Sequence, residues 1–191
     1  MNAQPIPDWL FPPPDGFTAA DLDRLPDLPP HTELIDGSLV LVSPQTLFHS
    51  LVLSLLEVGL RRALPRHLRV RREMSVVLGP RQRPEPDLLV VRAGDESDGQ
   101  TFYRPDAVEL AVEVVSPESQ VRDRERKPQL YAAAGIPHFW RVENVSGGPT
   151  VYVYQLDPAT AAYALTGIFH DRLDVTVPFD ITIDLTEIDR F

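Results

Sequence analysis

Residues 111–119 read AVEVVSPES. Val112, Val114 and Val115 surround Glu113 in a run that favours an extended chain. Valine on both faces of a strand marks one that is covered on both faces, as the central strand of a layered sheet is. Glu113 then points into the interior. An unpaired buried carboxylate costs several kcal/mol, on the order of the whole stability of a small domain. Either a partner compensates it, or the end of this strand is a site.

The segments around this strand alternate in type. Upstream, PEPDLLVVRA enters a second apolar strand through two prolines, and Asp87 opens it. LRVRREMSVVL, residues 68–78, reads as one strand. Before it, SPQTLFHSLVLSLLEVGLRRAL is apolar nearly all round and about five turns long, which predicts a buried helix. TELIDGSLVLV places Asp36-Gly37 between two apolar runs, the signature of a two-residue hairpin turn. Downstream, PESQVRDRERKPQLYAAAG predicts a helix in its second half, closed by Gly135, with Pro137 just beyond. HFWRV and TVYVYQL read as strands, and short strands and turns follow. The order predicts a mixed α/β (α+β) fold, a central sheet with helices against it.

The chain has 191 residues, enough for one domain with a sizeable core. Residues 1–30 are rich in proline. Trp9, Leu10, Phe11 and Phe17 predict an arm draped on a surface, and Thr18 precedes a short helical pattern. Residues 31–191 are expected to form a single domain. No run of about 18 apolar residues suggests a membrane-spanning helix. The N-terminus lacks the pattern of a signal peptide, and there is no cysteine, so no disulfide or thiolate metal site. A cytoplasmic location is expected.

Lys and Arg number 18 against 28 Asp and Glu, a net charge of −10. That argues against a non-specific nucleic-acid coat, which needs clustered cations. It leaves local binding open. Arg61, Arg62, Arg66, Arg69, Arg71 and Arg72 form one basic group, and Arg122, Arg124, Arg126 and Lys127 another. Either is as well explained by a solvated face.

Glu33, Asp87 and Glu113 each stand beside an apolar run. Singly, Glu33 reads as an exposed hairpin residue, Asp87 as a turn residue after proline, and Glu113 as a buried acid paired with arginine. Together, acids converging at strand ends fit a hard divalent cation such as Mg²⁺, which takes few protein carboxylates and is completed by water and substrate phosphate. Such a cation would be the partner Glu113 needs. Lys127 is the candidate to stabilise developing charge. Asp123, Lys127 and Tyr131 are spaced i, i+4, i+8 and share a face if the helix reaches back that far, although a surface Asp123–Lys127 pair explains part of this. Pro128 is awkward in a helix interior, where it clashes with the carbonyl of Arg124. His49 is a core residue or a site residue on the long helix. Ser116 stays near any site at the strand end, or bonds its local backbone.

ELIDGSLV, SPQTLFH, PEPDLLVV, AVEVVSPES and RDRERKPQLYAAAGIPHFWRV occur in the order seen in the Uma-two family, a bacterial family of restriction-endonuclease-like proteins in the PD-(D/E)XK nuclease superfamily. The resemblance spans roughly residues 31–185. It implies a restriction-endonuclease-like fold, a central mixed sheet flanked by helices. It implies that Asp87 and Glu113 hold Mg²⁺ or Mn²⁺, with Glu33 assisting, and that DNA is the substrate. The superfamily's usual lysine position, two after the second acid, is Val115 here. The resemblance moves that role to Lys127 on the following helix, with His49 and Tyr131 lining the site. Superfamily members that cut both strands often act as dimers, so a homodimer is an expectation too. Two other readings stay open: a non-catalytic nucleic-acid or protein binding module on the same fold, and a structural protein whose acids pair with arginine.

Overall fold

The computed structural model describes residues 11–94 and 96–191. Trp9 and Leu10 of the proline-rich arm lie outside the described residues. The hairpin forms as its turn chemistry dictates. β1 (Glu33–Ile35) and β2 (Ser38–Val40) are joined by Asp36 and Gly37, whose φ values of 55° and 78° are those a type I′ turn needs. α1 (Leu47–Ala63) follows, with the Thr46 hydroxyl accepting from the His49 N–H at its start.

β3 (Leu68–Arg72) and β4 (Ser75–Val76) come from the segment read as one strand. The break is at Glu73, whose φ of 52° cannot continue a ladder. β5 (Leu88–Arg92), β6 (Phe102–Tyr103) and β7 (Val108–Val114) come next. A π-helical turn (Arg122–Arg126) leads into α2 (Lys127–Ala133), which ends where Gly135 takes φ 81°. β8 (His138–Val145), β9 (Gly148–Asp157), β10 (Ala162–Phe169), β11 (Arg172–Val175) and β12 (Ile181–Asp184) complete the strands.

Six strands form the central sheet in the order β10-β9-β8-β7-β5-β3. All pairings are antiparallel except β7 with β8, which α2 joins as a crossover. The sheet is therefore mixed, and β7 lies in its interior. On one face, Leu88, Val90, Leu110, Val112, Trp140 and Val142 pack with Leu53, Leu56 and Leu60 of α1 and Ile183 of β12. On the other, Leu89, Val91, Ala111 and Phe139 pack with Tyr131 of α2 and Ile136. Strand side chains alternate between faces. Val112 and Val114 thus fall to the α1 side, and Glu113 falls beside Ala111 to the α2 side.

α1 is not apolar all round. Its buried face carries His49, Val52, Leu53, Leu55, Leu56 and Leu60, while Leu47, Ser50, Arg61 and Arg62 are exposed. The pattern on this helix is dense in leucine, and the sheet covers only one side of it. The expected helix after Thr18 is a single 3₁₀ turn, Asp21–Asp23, and Thr18 donates to Asp21 rather than capping the turn. Phe17, Ala19, Leu22 and Leu25 pack on Leu34, Leu39 and Val77, so this part of the arm does lie on the hairpin. Among the described residues no helix is long and apolar enough to cross a membrane.

Candidate active site

Glu33 and Glu113 meet over the α2 face of the sheet. Each is nearly buried, and the ammonium of Lys127 stands between them. Lys127 Nζ lies 2.9 Å from Glu33 Oε1, 2.9 Å from Glu113 Oε2 and 3.4 Å from Asp123 Oδ1. The Tyr131 hydroxyl donates to the second oxygen of Glu113 at 2.5 Å. Asp123, Lys127 and Tyr131 share the inward face of one continuous helical run, as their spacing predicts. The Asp123–Lys127 pair is buried, not on the surface.

Pro128 explains the wide turn. It lies inside the helical run, directly after a π-helical turn closed by the Lys127 N–H on the Arg122 carbonyl, and that wide turn is where a residue without an N–H is accommodated. The clash expected with Arg124 is relieved by the one-residue widening. Lys127 is thereby delivered to the acids and not displaced from them.

Asp87 arrives from the start of β5. Its Oδ2 accepts from the Val114 N–H at 2.7 Å, and His49 Nε2 lies 3.0 Å from its Oδ1. His49 is buried, and its Nδ1 has no partner. The backbone N–H of Glu85 donates to Glu33 at 2.8 Å, tying the hairpin to the approach to β5. Ser116 bonds Ser119 in the loop after β7 and lines the same cavity. All eight residues singled out above come together: Glu33, His49, Asp87, Glu113, Ser116, Asp123 and Lys127 line one cavity of about 220 Å³, and Tyr131 holds Glu113 from behind it. That volume is below the ~300–1,000 Å³ of sites that enclose a whole small molecule. It suits one group of a larger substrate.

Charge in this cavity is unbalanced. Burial pushes the Glu113 carboxyl well up; Lys127 opposes this, and Asp123, Asp87 and Glu33 add to it. Burial likewise raises Asp123, against the pull of Lys127. Burial alone would strip the proton from Lys127, but the surrounding acids outweigh it and raise the ammonium well above its ordinary range. Lys127 is therefore charged, and Glu33, Glu113 and Asp123 share it. Tyr131 is raised by burial and by the same acids, so its hydroxyl keeps its proton and donates.

Sequence reasoning missed the second rank of the cavity. His31 Nδ1 lies 2.6 Å from Glu85 Oε1, and both residues line the wall. The Glu85 carboxylate raises His31, and burial raises Glu85. Both lie two residues before a predicted acid, His31 before Glu33 and Glu85 before Asp87, which is the same side of an extended chain. That spacing was the available signal. The arginine partners expected of a purely structural acid cluster are not there: Glu113 is met by Lys127 and Tyr131, and Asp87 by His49. The first basic group also falls elsewhere. None of its arginines lines the cavity; Arg61 and Arg72 pair with Glu57, and Arg71 with Glu96.

The donors suit a hard divalent cation in kind, since all are carboxylates and the buried Asp123 Oδ1 has only the Lys127 ammonium, at 3.4 Å, and no hydrogen bond. As they stand, no three His, Asp or Glu among the described residues are spaced to coordinate one, because Lys127 occupies the middle.

The fold is similar to that of a protein from Anabaena variabilis described as "a putative nuclease belonging to DUF820", with a TM-score of 0.65 and 19% identity over 90% of this chain and 97% of that one. A distant likeness to the cAAA-bound form of NucC from P. aeruginosa has a TM-score of 0.32 and 13% identity, over 65% of this chain and 85% of that one. No curated relative matches the chain. Residues 19–186 match the Uma2 family, described as "Putative restriction endonuclease". The acids at the ends of β1, β5 and β7, and the lysine delivered by the following helix, thus stand within a chain that belongs to the Uma2 family.

Proposed function

We propose that the chain is a metal-dependent nuclease that hydrolyses phosphodiester bonds of DNA. One observation carries the reading: four carboxylates, Glu33, Asp87, Glu113 and Asp123, surround a single charged lysine in a cavity open to the surface. Burying such a surplus of acids costs folding free energy, and a fold that needed only stability would have matched the charges. A cation supplied from solution completes the balance. Asp87 and Glu113 are its proposed holders, with Glu33 beside them. Bound there, Mg²⁺ or Mn²⁺ would acidify an attacking water and offset charge on the phosphoryl oxygens.

The protein's own residues have separable roles. Lys127 presents a fixed positive charge to the phosphoryl group, where negative charge grows as water attacks. Tyr131 and His49 fix the orientations of Glu113 and Asp87. Ser116 and Ser119 shape the cavity's edge. Cutting both strands of a duplex in one encounter would take two such sites, which a homodimer would supply. The binding-module reading needs a broad basic surface, and the pairing of Arg61, Arg71, Arg72, Arg124 and Arg126 with acids does not favour it.

The test is incubation with supercoiled plasmid and with single-stranded DNA in Mg²⁺, Mn²⁺ or EDTA, beside a Glu113→Ala, Lys127→Ala double variant. Cleavage that needs metal and is lost in the variant is the expected result. Equal cleavage by both proteins, or none by either, would overturn the reading.

A further inference from the structure

Four basic side chains line the cavity, and three of them are engaged. Lys127 is shared by Glu33, Glu113 and Asp123; His49 faces Asp87; His31 faces Glu85. The fourth is Arg122. Its Nε is buried and without a hydrogen-bond partner, and among the described residues no carboxylate lies within ion-pair distance of its guanidinium. Its neighbours on the same segment are satisfied: Arg124 meets Glu143 at 2.5 Å and Arg126 meets Asp36 at 2.5 Å. A guanidinium left unpaired in a cavity this rich in acids calls for an anion that arrives from outside.

The π-helical turn accounts for its position. The turn is closed by a backbone bond between residues 122 and 127, so Arg122 lies closer to the side of the helix that carries Lys127 than regular winding would place it. A regular α-helix would carry a residue five positions back well around the axis. The widening that accommodates Pro128 therefore also sets a second cation, Arg122, on the wall of the cavity that Lys127 lines. The planar fork of arginine suits two oxygens of one phosphate, which a lysine cannot match.

Building on the nuclease reading, we infer that Arg122 is the substrate-phosphate contact, holding non-bridging oxygens of a phosphodiester in the polynucleotide backbone. It reads the backbone and carries no base specificity.

The test uses the full chain and its Arg122→Ala, Arg122→Lys and Arg124→Ala variants. Cleavage kinetics are measured on one oligonucleotide in Mn²⁺, binding of the same oligonucleotide is followed against salt in Ca²⁺, and thermal melts check the fold. Loss of a charged hydrogen bond predicts a fall in kcat/KM of about 10- to 100-fold for Arg122→Ala. The slope of log binding constant against log salt is expected to flatten by about 0.7–0.9. Arg122→Lys should recover the slope but only part of kcat/KM, and Arg124→Ala should leave both unchanged. Unaltered slope and kcat/KM in Arg122→Ala, or an equal loss in Arg124→Ala, would overturn the assignment while leaving the nuclease reading in place. A parent protein that neither cuts nor binds the oligonucleotide would end both.

Discussion

Among the described residues, an arginine and a lysine are buried, and they are treated differently. Arg83 is 4% exposed and answers to one carboxylate. It forks Asp23 at 2.7 and 2.9 Å, donates to the Ala19 carbonyl and to Thr101, and lies over the Phe102 ring. Charge there is matched, and the pair pins the 3₁₀ turn of the N-terminal segment to the loop before β5. Lys127 is equally buried but faces Glu33, Glu113 and Asp123, with Asp87 near by. Its arrangement is overloaded with acid. The first cluster is what a fold builds for stability; the second, on the proposed nuclease reading, is retained at a cost for chemistry.

The largest expected effect separates the two by activity. Lys127→Met and Glu113→Gln should each lower DNA cleavage by about 10²–10³-fold, the range for losing one group that stabilises transition-state charge. Asp23→Asn should leave the rate unchanged at a temperature where it is folded. Plasmid cleavage rates for the three proteins check this. A similar loss in Asp23→Asn would erase the distinction.

Stability should show the reverse. Asp23→Ala strands the Arg83 guanidinium and should cost about 2–4 kcal/mol, less than for a fully buried pair because Asp23 is partly exposed. Urea unfolding measures it. Tyr131→Phe removes one donor to a buried carboxylate and should cost about 1–3 kcal/mol. A neutral or stabilising Tyr131→Phe would mean that Glu113 does not depend on this hydroxyl.

The smallest effect lies in pH dependence. Glu113 is raised by burial, so the folded protein binds its proton more tightly than the unfolded chain does. Its contribution is fully present below the ordinary value of 4.5 and is lost as pH rises through the folded value. Relative to Glu113→Gln, the parent should therefore lose stability as pH rises from about 4.5 towards neutrality. Asp23 is lowered by its hydrogen bond to Arg83, so its contribution is present above 3.8 and is lost as pH falls through the folded value. Thermal melts of the parent against Glu113→Gln and Asp23→Asn should thus diverge in opposite directions of pH. Parallel curves would contradict the assignment of surplus charge to one cluster and matched charge to the other.

How much of this was legible follows the range of each interaction. Turn chemistry at Asp36-Gly37, the valine strand around Glu113 and the glycine after α2 are local signals, and the structure bears them out. The break at Glu73 and the one-sided burial of α1 depend on what packs against them, which no local pattern carries. In the cavity, the acids stood out because they interrupt apolar runs. His31 and Glu85 lie in polar, proline-rich approaches where charge is unremarkable. Pro128 reads as awkward in a helix that must carry Lys127, because the remedy, a π-helical turn, leaves no separate mark in the sequence. Arg83, for its part, looks like any loop arginine until the fold returns residues 17–25 to cover it.

The most direct test of the central claim is titration of Mn²⁺ into the parent, Glu113→Gln and Asp23→Asn, followed by the loss of the free-ion electron paramagnetic resonance signal. Binding by the parent at the surplus-charge cavity, loss of that binding in Glu113→Gln, and no change in Asp23→Asn are expected. Absence of binding in the parent, or equal binding in the parent and Glu113→Gln, would contradict it.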